Sequence, residues 1–355
     1  MSKEKKILFG VLNWGLGHAT RSIPVIKQLL NAGYQIILAS DGKALKLLQK
    51  EFPNLPSEKL PSYNIRYSKH GKFLAVKLLS QMPHIISTMR QESKITKKIV
   101  DKYRIDLIIS DNRFGLRDTR INNIYITHQL RVLSGWSTPV SSWLHRQIYQ
   151  KFDEVWVPDF ENEPNLSGKL GHLSKKSNKI KYIGIVSRMQ KQIKPVKYEV
   201  LAILSGPEPQ RSLLEKKLIT ELSKLPFQIA LVQGQVHKTS HKKSYKNIDI
   251  YNYLTTGKLA DIINASNTII SRSGYTSVMD LIAMEKKVIW IPTPGQKEQE
   301  YLAGHLSEYY GQIRQNQKKI NIKPQLLKNY QVTKISINNN KTDKPVELIK
   351  KYFLD

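Results

Sequence analysis

Short apolar runs alternate with segments of helical periodicity along most of the chain. In the first half the apolar runs have the length and composition of buried strands; they are KILFGVLN, QIILAS, IDLIISD, NIYITHQ and EVWVPD. Helices are predicted between them at 18–32, 43–51, 72–101 and 138–150. This alternation is typical of a parallel sheet with helices on both faces.

The second half repeats the pattern. Its apolar runs are KYIGIVS, EVLAILSG, FQIALVQG, IDIYNYL, NTIISR and KKVIWIP, and its predicted helices are 210–224, 257–265, 276–285 and 298–310. The polar, proline-containing stretch SRMQKQIKPVKYE separates the halves. We therefore predict two doubly wound, Rossmann-like α/β domains that face each other across a cleft, at 1–185 and 199–335, with a linker at 186–198 and a polar loop and helix at 336–355.

Composition narrows the classes of function. The 355 residues are 40% hydrophobic, enough for two cores, and contain no cysteine, which excludes disulfides, thiol catalysis and cysteine-bound zinc. Lysine and arginine total 57 against 28 acidic residues, and the net charge of +29 attracts phosphorylated substrates, nucleic acid or anionic lipid. No apolar run approaches the roughly 20 residues that span a bilayer. We expect a cytoplasmic protein, with the inner face of the membrane as a candidate docking surface.

The stretch NWGLGHATRSIP follows the first predicted strand. Gly15 and Gly17 permit a tight turn, and the helix after it offers amide groups and the positive end of its dipole to an anion. The dinucleotide-binding fingerprint requires glycine where Thr20 stands, and no Walker sequence is present. His18 lies at the start of the helix, and we predict it as the general base because imidazole titrates near neutral pH.

Two further strand ends carry reactive side chains. Asp111 ends one predicted strand and His128 ends the next, so both are expected at the same sheet edge as His18. They are alternative candidates for the catalytic base, although aspartate is also an ordinary turn residue.

The stretch 269–305 contains a second strand–turn–helix unit. The strand ends at Arg272. Ser273 and Gly274 form the turn after it, and Thr276 or the serine after it is predicted as the helix cap. Asp280 follows on this helix. An acid at this position can bind ribose hydroxyls, or it can be an ordinary solvated residue of the helix surface.

Together, GLGHATRSIP and SRSGYTSVMDLIAMEKKVIWIPTPGQKEQEY resemble the GT-B glycosyltransferases of family 28, which include the UDP-N-acetylglucosamine transferase that forms peptidoglycan lipid II. The resemblance implies an enzyme that moves a hexose, such as N-acetylglucosamine, from a UDP-sugar to a hydroxyl of a glycan or lipid-linked acceptor. It further implies inversion at the anomeric carbon, a donor bound mainly by the second domain, and no metal or cofactor besides the UDP-sugar co-substrate.

The resemblance also suggests the donor-binding positions. They are Gly17, Arg188, Ser205, Gly206, Leu254, Arg272, Ser273, Gly274, Asp280, Gln299 and Glu300. Arg188 matches the family's arginine on the donor diphosphate, and Asp280 stands where the family usually has a glutamate on the ribose. Leu254 matches the backbone contact to the base.

Two positions depart from the family pattern. Gln299 and Glu300 stand where the family has two glutamines on the donor sugar, so Glu300 leaves the sugar open. The turn SGPEPQR contains Pro207 and Pro209 where the family has glycine and serine, and proline nitrogens cannot donate to phosphate. Only Ser205 and Gly206 remain to contact phosphate there.

The segment KFLAVKLLSQMPHIISTMR, at 72–90, has an apolar stripe with lysines beside it. The stripe consists of Leu74, Leu78, Met82, Ile85 and Met89. It predicts either a helix packed on the core or docking on an anionic membrane, and Pro83 would interrupt it.

Three other functions fit parts of the pattern. A nucleic-acid-binding protein would share the positive charge, but the sequence has no zinc-finger spacing, RNP motif or basic arm, so no nucleic-acid partner is expected. An NAD-dependent oxidoreductase would use Gly15, Gly17 and Asp41 but lacks the third glycine. A UDP-sugar epimerase would need an acidic cluster that we cannot place.

Overall fold

The structure is a computed structural model that describes residues 5–64, 81–175, 177–235, 241–332 and 344–353. The chain divides into two compact units. The first ends at Arg188 and takes in the C-terminal helix, and the second begins at Met189.

The strands and helices alternate along both units. The strands are β1 (Lys6–Val11), β2 (Gln35–Ser40), β3 (Ser57–Lys59), β4 (Leu107–Asp111), β5 (Asn122–Ile126), β6 (Glu154–Val157), β7 (Ile180–Tyr182), β8 (Tyr198–Ile203), β9 (Ile229–Val232), β10 (Lys242–Tyr245), β11 (Ile248–Tyr251), β12 (Ser266–Ser271), β13 (Lys287–Trp290) and β14 (Ile313–Arg314). The helices are α1 (Gly17–Asn31), α2 (Gly42–Glu51), α3 (Met82–Tyr103), α4 (Thr138–Tyr149), α5 (Gln210–Leu222), α6 (Thr256–Asn264), α7 (Tyr275–Ala283), α8 (Lys297–Tyr310), α9 (Pro324–Lys328) and α10 (Lys344–Lys350).

The sheet of the first unit has the order β3-β2-β1-β4-β5-β6-β7, and all its neighbours are parallel. The order reverses between β1 and β4, which makes this the switch point where open α/β sheets bind ligands. Val11 is paired with Asp111 across it, and Asp111 with Ile126 on β5. The residues that follow β1, β4 and β5 therefore share one edge.

The sheet of the second unit has the order β10-β11-β9-β8-β12-β13-β14. Its strands are parallel except β10, which runs antiparallel to β11. The switch point lies between β8 and β12, where Ile203 is paired with Ser271. Both units are thus doubly wound α/β folds, and the predicted fold class is confirmed.

The core of the first unit includes the C-terminal helix. Ile349 of α10 is fully buried in the cluster that contains Phe9 of β1 and Leu29 of α1. From the sequence, residues 336–355 are predicted as a polar loop and helix that follow the second domain. A fully buried isoleucine contributes about 2 kcal/mol, so α10 is an integral part of the first unit.

Several predicted boundaries shift. The sequence pattern groups KYIGIVS with the second half, but only its first two residues belong to a strand, β7 at the edge of the first sheet. The helix predicted from residue 72 is described only from Met82, with Pro83 in its first turn, where a missing N–H removes no helical hydrogen bond. The predicted stripe positions Leu74 and Leu78 lie outside the described residues. Ile85 packs against Leu12, which supports the core interpretation for this part of the stripe.

Candidate functional site

The predicted base and one of its alternatives meet at the switch point of the first unit. His18 lies in the first turn of α1, directly after the turn that leaves β1, and Asp111 is the last residue of β4. Nδ1 of His18 is 2.8 Å from Oδ1 of Asp111. The side chain of Asp111 is buried, and that of His18 keeps 12% of its surface exposed. The pair therefore combines a buried carboxylate with an imidazole that a substrate can reach.

Arg21, which is not among the residues predicted from the sequence, contacts all three predicted catalytic residues. Its Nε donates to Oδ2 of Asp111 at 2.8 Å, and its Nη2 donates to Oδ1 of the same carboxylate. One Nη of Arg21 lies 2.9 Å from Nδ1 of His128, and the other lies 2.8 Å from Nδ1 of His18. Arg21 follows His18 by three residues, so both lie on one face of α1. That spacing is the signal that could have found it.

The two histidines differ in their hydrogen-bond partners. Nδ1 of His18 lies within hydrogen-bond distance of ionised Asp111, which can only accept, and of the Arg21 guanidinium, which can only donate. In the tautomer that donates to Asp111, Nε2 of His18 keeps its lone pair. The Arg21 guanidinium can only donate, so Nδ1 of His128 accepts and its Nε2 carries the proton in the neutral form. In that tautomer His18 can act as a base through Nε2, whereas His128 presents a donor.

The electrostatic environment favours His18 as the general base. Burial alone would raise the pKa of Asp111, but the positive charge of Arg21, together with His18, outweighs burial and holds the pKa well below the usual range. Burial and the charge of Arg21 lower the pKa of His18, against the opposite effect of Asp111. At neutral pH the carboxylate is therefore ionised and the imidazole is neutral, which is the form a general base requires.

Asp41, the residue that an NAD-binding interpretation would use, is engaged by the protein. Its Oδ1 accepts from Arg113 at 2.6 Å, and its Oδ2 accepts from Asn13 at 3.1 Å and Ser62 at 2.5 Å. Both carboxylate oxygens are used, so Asp41 is not arranged to bind a ribose. Its side chain instead lines a pocket of about 290 Å³ with Asn13, Trp14 and Ser62.

The donor turns of the second unit lie at its switch point. Ser205 and Gly206 follow β8, and Ser273 and Gly274 follow the neighbouring β12. Gly206 has a φ of 97°, a conformation that favours glycine. Gly274 is the N-cap of α7 in place of the predicted Thr276, and no side chain caps this helix. A helix N-terminus at a switch point is a favourable place for a phosphate.

The predicted sugar-binding side chains brace the turn before α8. Gln299 Oε1 accepts from the amide of Thr293 at 2.9 Å, and Glu300 Oε1 accepts from the amide of Gly295 at 3.0 Å. Ser273 Oγ donates to the carbonyl of Gln299 at 2.7 Å. The Ser273 bond connects the turn after β12 to the start of α8, so the two candidate donor segments are held together.

Two predictions need correction. Arg272 does not face a ligand: its guanidinium is buried and donates to the carbonyls of Ile291 and Pro292 at 3.0 Å and of Gln210 at 3.1 Å. Burial lowers the pKa of Arg272 to about 10. Asp280 is buried on α7, so it is not a solvated helix acid.

The remaining donor candidates are more scattered. Leu254 is buried shortly after β11 of the second unit. Arg188 is the last residue of the first unit, and Gly17 is the first residue of α1. The structure places Arg188 and Gly17 in the unit that carries His18. Among the described residues, no three histidine, aspartate or glutamate side chains cluster as a metal site.

Sequence comparisons match both halves of the chain. Residues 210–350 match the glycosyltransferase family 28 C-terminal domain, and residues 5–124 match glycosyl transferase family 1. An uncharacterized glycosyltransferase of Methanosarcina acetivorans is 21% identical over 332 residues, which cover 87% of this chain and 85% of the relative. The Clostridium botulinum UDP-N-acetylglucosamine–N-acetylmuramyl-(pentapeptide) pyrophosphoryl-undecaprenol N-acetylglucosamine transferase is 23% identical over 287 residues, covering 78% of this chain and 75% of the enzyme.

A solved structure is similar over nearly the whole length. The glycotransferase of kitacinnamycin superposes with a TM-score of 0.67, at 12% identity, covering 99% of this chain and 100% of that chain. At this identity the match establishes the fold. The family models matched by the two halves of the chain both describe glycosyltransferases, and the solved structure has the fold of such an enzyme.

Proposed function

We propose that this chain, a glycosyltransferase of the GT-B fold and of the family 28 type, transfers a hexose from a UDP-sugar to an acceptor hydroxyl with inversion at the anomeric carbon. The acceptor is a glycan or a lipid-linked sugar. The observation that carries the proposal is the contact of His18 with Asp111 at the switch point of the first unit.

The first step in the proposed reaction is deprotonation of the acceptor. Nε2 of His18 takes the proton from the hydroxyl as its oxygen attacks the anomeric carbon. Asp111 stabilises the imidazolium that forms, and Arg21 holds the carboxylate in place. Because attack and departure occur in a single displacement, the configuration inverts. His128 offers its Nε2 hydrogen to an acceptor oxygen.

The leaving group is a nucleoside diphosphate, whose charge grows in the transition state. The N-terminus of α7 and the amides near Gly206 and Gly274 would stabilise this charge. Arg188 would add a positive charge on the diphosphate. The family 28 match covers the second unit, and the name of the Clostridium relative specifies UDP-N-acetylglucosamine, which supports a UDP-sugar here. Glu300 in place of the family's glutamine favours testing related hexoses as well.

We place the reaction in the cytoplasm, with a lipid-linked acceptor presented at the inner face of the membrane. Among the described residues, none of the helices is both long and apolar enough to cross a bilayer. The pocket lined by Asn13, Trp14 and Asp41 lies after β1 and β2, and His18 also follows β1, so it is a candidate acceptor pocket.

The experiment is calorimetric titration of the protein with UDP, GDP, dTDP and NAD, repeated on Arg188→Ala and His18→Ala. We expect UDP to bind, Arg188→Ala to weaken binding, and His18→Ala to bind UDP normally but to lose sugar transfer. UDP-sugars are then screened for transfer. Binding of NAD in place of the nucleoside diphosphates would refute the proposed donor, and transfer by His18→Ala at the wild-type rate would refute the proposed base.

A further inference from the structure

The turn that ends β4 contains a residue with an unusual backbone. Asn112 follows Asp111 directly and has a φ of 58°, in the left-handed region that glycine adopts without strain. The amide of Asn112 donates to the carbonyl of Ser110 at 3.2 Å, and the amide of Arg113 donates to the hydroxyl of the same serine at 3.1 Å. A left-handed residue other than glycine persists only where the surrounding structure imposes it, and such residues cluster at active sites.

Asn112 joins two residues that are themselves anchored. On one side, Asp111 is buried, its carboxylate belongs to the proposed catalytic pair, and its carbonyl accepts from the amide of Leu12 at 3.0 Å. On the other side, the guanidinium of Arg113 is buried and donates to Asp41 at 2.6 Å. Rotation about the backbone of Asn112 would therefore displace at least one of these two neighbours from its contacts.

The side chain of Asn112 is held by a residue of the neighbouring strand. The hydroxyl of Tyr125, on β5, donates to Oδ1 of Asn112 at 2.7 Å. Tyr125 is paired with Ser110 in the parallel register of β4 and β5, so it lies beside the turn. Asparagine has only two side-chain torsions, so a hydrogen bond that fixes its carbonyl oxygen also restrains its backbone.

Tyr125 is a rigid point from which to hold the turn. Its side chain is fully buried, and its ring centroid lies 4.8 Å from that of Phe152. Nε2 of His145, on α4, lies 3.1 Å from the Tyr125 hydroxyl. Burial holds the pKa of Tyr125 well above its ordinary value, and the negative charge of Asp111 adds to this effect. The hydroxyl therefore keeps its hydrogen, and remains a donor to Asn112, wherever the enzyme works.

We infer that Tyr125 is a positioning residue for the proposed catalytic pair. Its hydroxyl holds Asn112 in the left-handed conformation, and this conformation fixes the position of Asp111 relative to His18. The role differs from that of Arg21, which binds the Asp111 carboxylate directly. The inference rests on the proposed function for the chemistry of the pair, whereas the contacts that carry it involve no substrate.

The test compares Tyr125→Phe with a matched control, Tyr182→Phe. Each variant loses one hydroxyl of the first unit, but the Tyr182 hydroxyl donates to the carbonyl of Gly171 at 3.1 Å, and its strand, β7, lies two strands beyond β5. We expect Tyr125→Phe to lower kcat by about ten-fold or more, because a displacement of about 1 Å at a reacting group can cost about 100-fold. Tyr182→Phe should stay within about two-fold of the wild type. UDP affinity should be unchanged in both variants, since the candidate donor turns lie in the second unit.

Substitutions at position 112 separate positioning from a general loss of packing. Glycine adopts a positive φ without a supporting hydrogen bond, so in an Asn112→Gly background Tyr125→Phe should change kcat by less than about two-fold. Asn112→Ala should lower kcat by about ten-fold or more even with Tyr125 present, because alanine lacks the amide oxygen and disfavours this φ. Asn112→Ala also tests the inference if far-ultraviolet circular dichroism shows that Tyr125→Phe is unfolded.

NMR reports on the catalytic pair without any reaction. The imidazole nitrogen signals of His18, whose Nδ1 lies 2.8 Å from Asp111, should move in Tyr125→Phe and stay in place in Tyr182→Phe. Unmoved His18 signals in Tyr125→Phe would overturn the inference, and so would an equal loss of kcat with asparagine or glycine at position 112. If the wild type transferred no sugar, the proposed function would fail, and the NMR comparison would still decide the positioning role.

Discussion

Replacing Asp111 by asparagine tests the central arrangement of the site. The carboxylate accepts hydrogen bonds from His18, from two nitrogens of Arg21 and from the Ser22 hydroxyl at 2.9 Å. An asparagine side chain has one oxygen and one NH₂ group, so at least one of these donors would meet another donor. It also has no charge to balance Arg21, which is buried.

Two effects of different size follow from Asp111→Asn. Leaving Arg21 buried without its counter-charge should lower the free energy of unfolding by about 3–5 kcal/mol. Losing the acceptor that orients His18 and stabilises its imidazolium should reduce kcat by about 10³- to 10⁴-fold, as for a carboxylate that orients a catalytic histidine elsewhere. Donor affinity should be unchanged, because the candidate donor turns lie in the second unit.

The assay measures stability and catalysis on the same preparation. Chemical denaturation gives the free energy of unfolding, release of the nucleoside diphosphate gives kcat, and calorimetry gives donor affinity. Asp118→Asn is the matched control, since Asp118 is a buried acid of the same unit whose partner Arg120 is half exposed. It should cost about 1 kcal/mol of stability and leave kcat intact. A kcat for Asp111→Asn within about three-fold of the wild type would refute the assignment of Asp111 as the partner of the base.

Three further predictions test the pH dependence and the packing. The rate should be constant at neutral pH and fall as pH decreases through the lowered pKa of His18, because only the neutral imidazole accepts a proton; a limb in the kcat/KM profile at or above 6.5 would contradict this. Gly206→Ala should destabilise the chain by about 1–3 kcal/mol in thermal unfolding and weaken UDP binding, since its φ of 97° disfavours a side chain. Gly257→Ala, within helix α6, is the control and should be neutral or stabilising by about 1 kcal/mol. Ile349→Ala should lower the free energy of unfolding by about 2–5 kcal/mol, whereas the exposed Lys350→Ala should change it by less than about 0.5 kcal/mol; equal stability of the two variants would contradict the burial of α10.

Much of the architecture is predictable from the sequence because it depends on local patterns. Apolar runs separated by helical periodicity predict parallel sheets with helices on both faces, and both sheets have this form apart from the antiparallel edge strand β10. The turn before α1 is predictable from its glycines. The position of His18 follows as well, because a side chain in the first turn of that helix lies at the sheet edge where ligands bind.

Sequence separation limits what the pattern can reveal about the site. His18 and Asp111 are 93 residues apart, and only the parallel pairing of β1 with β4 brings them into contact. His18, Asp111 and His128, whose roles the sequence leaves open, all lie within hydrogen-bond distance of Arg21. No local signal shows where that guanidinium points.

Tertiary packing likewise decides between binding and structural roles for polar residues. Arg272 follows a strand in a motif that suggests phosphate contact, yet distant backbone carbonyls accept its hydrogen bonds. Trp143 has a large apolar side chain of the kind found in protein cores, yet it is exposed because the opposite side of α4 packs on the sheet. The sequence by itself therefore determines the two α/β units and the strand ends where chemistry is concentrated. Only the tertiary structure decides which side chains face the site, because that depends on contacts between segments far apart in the chain.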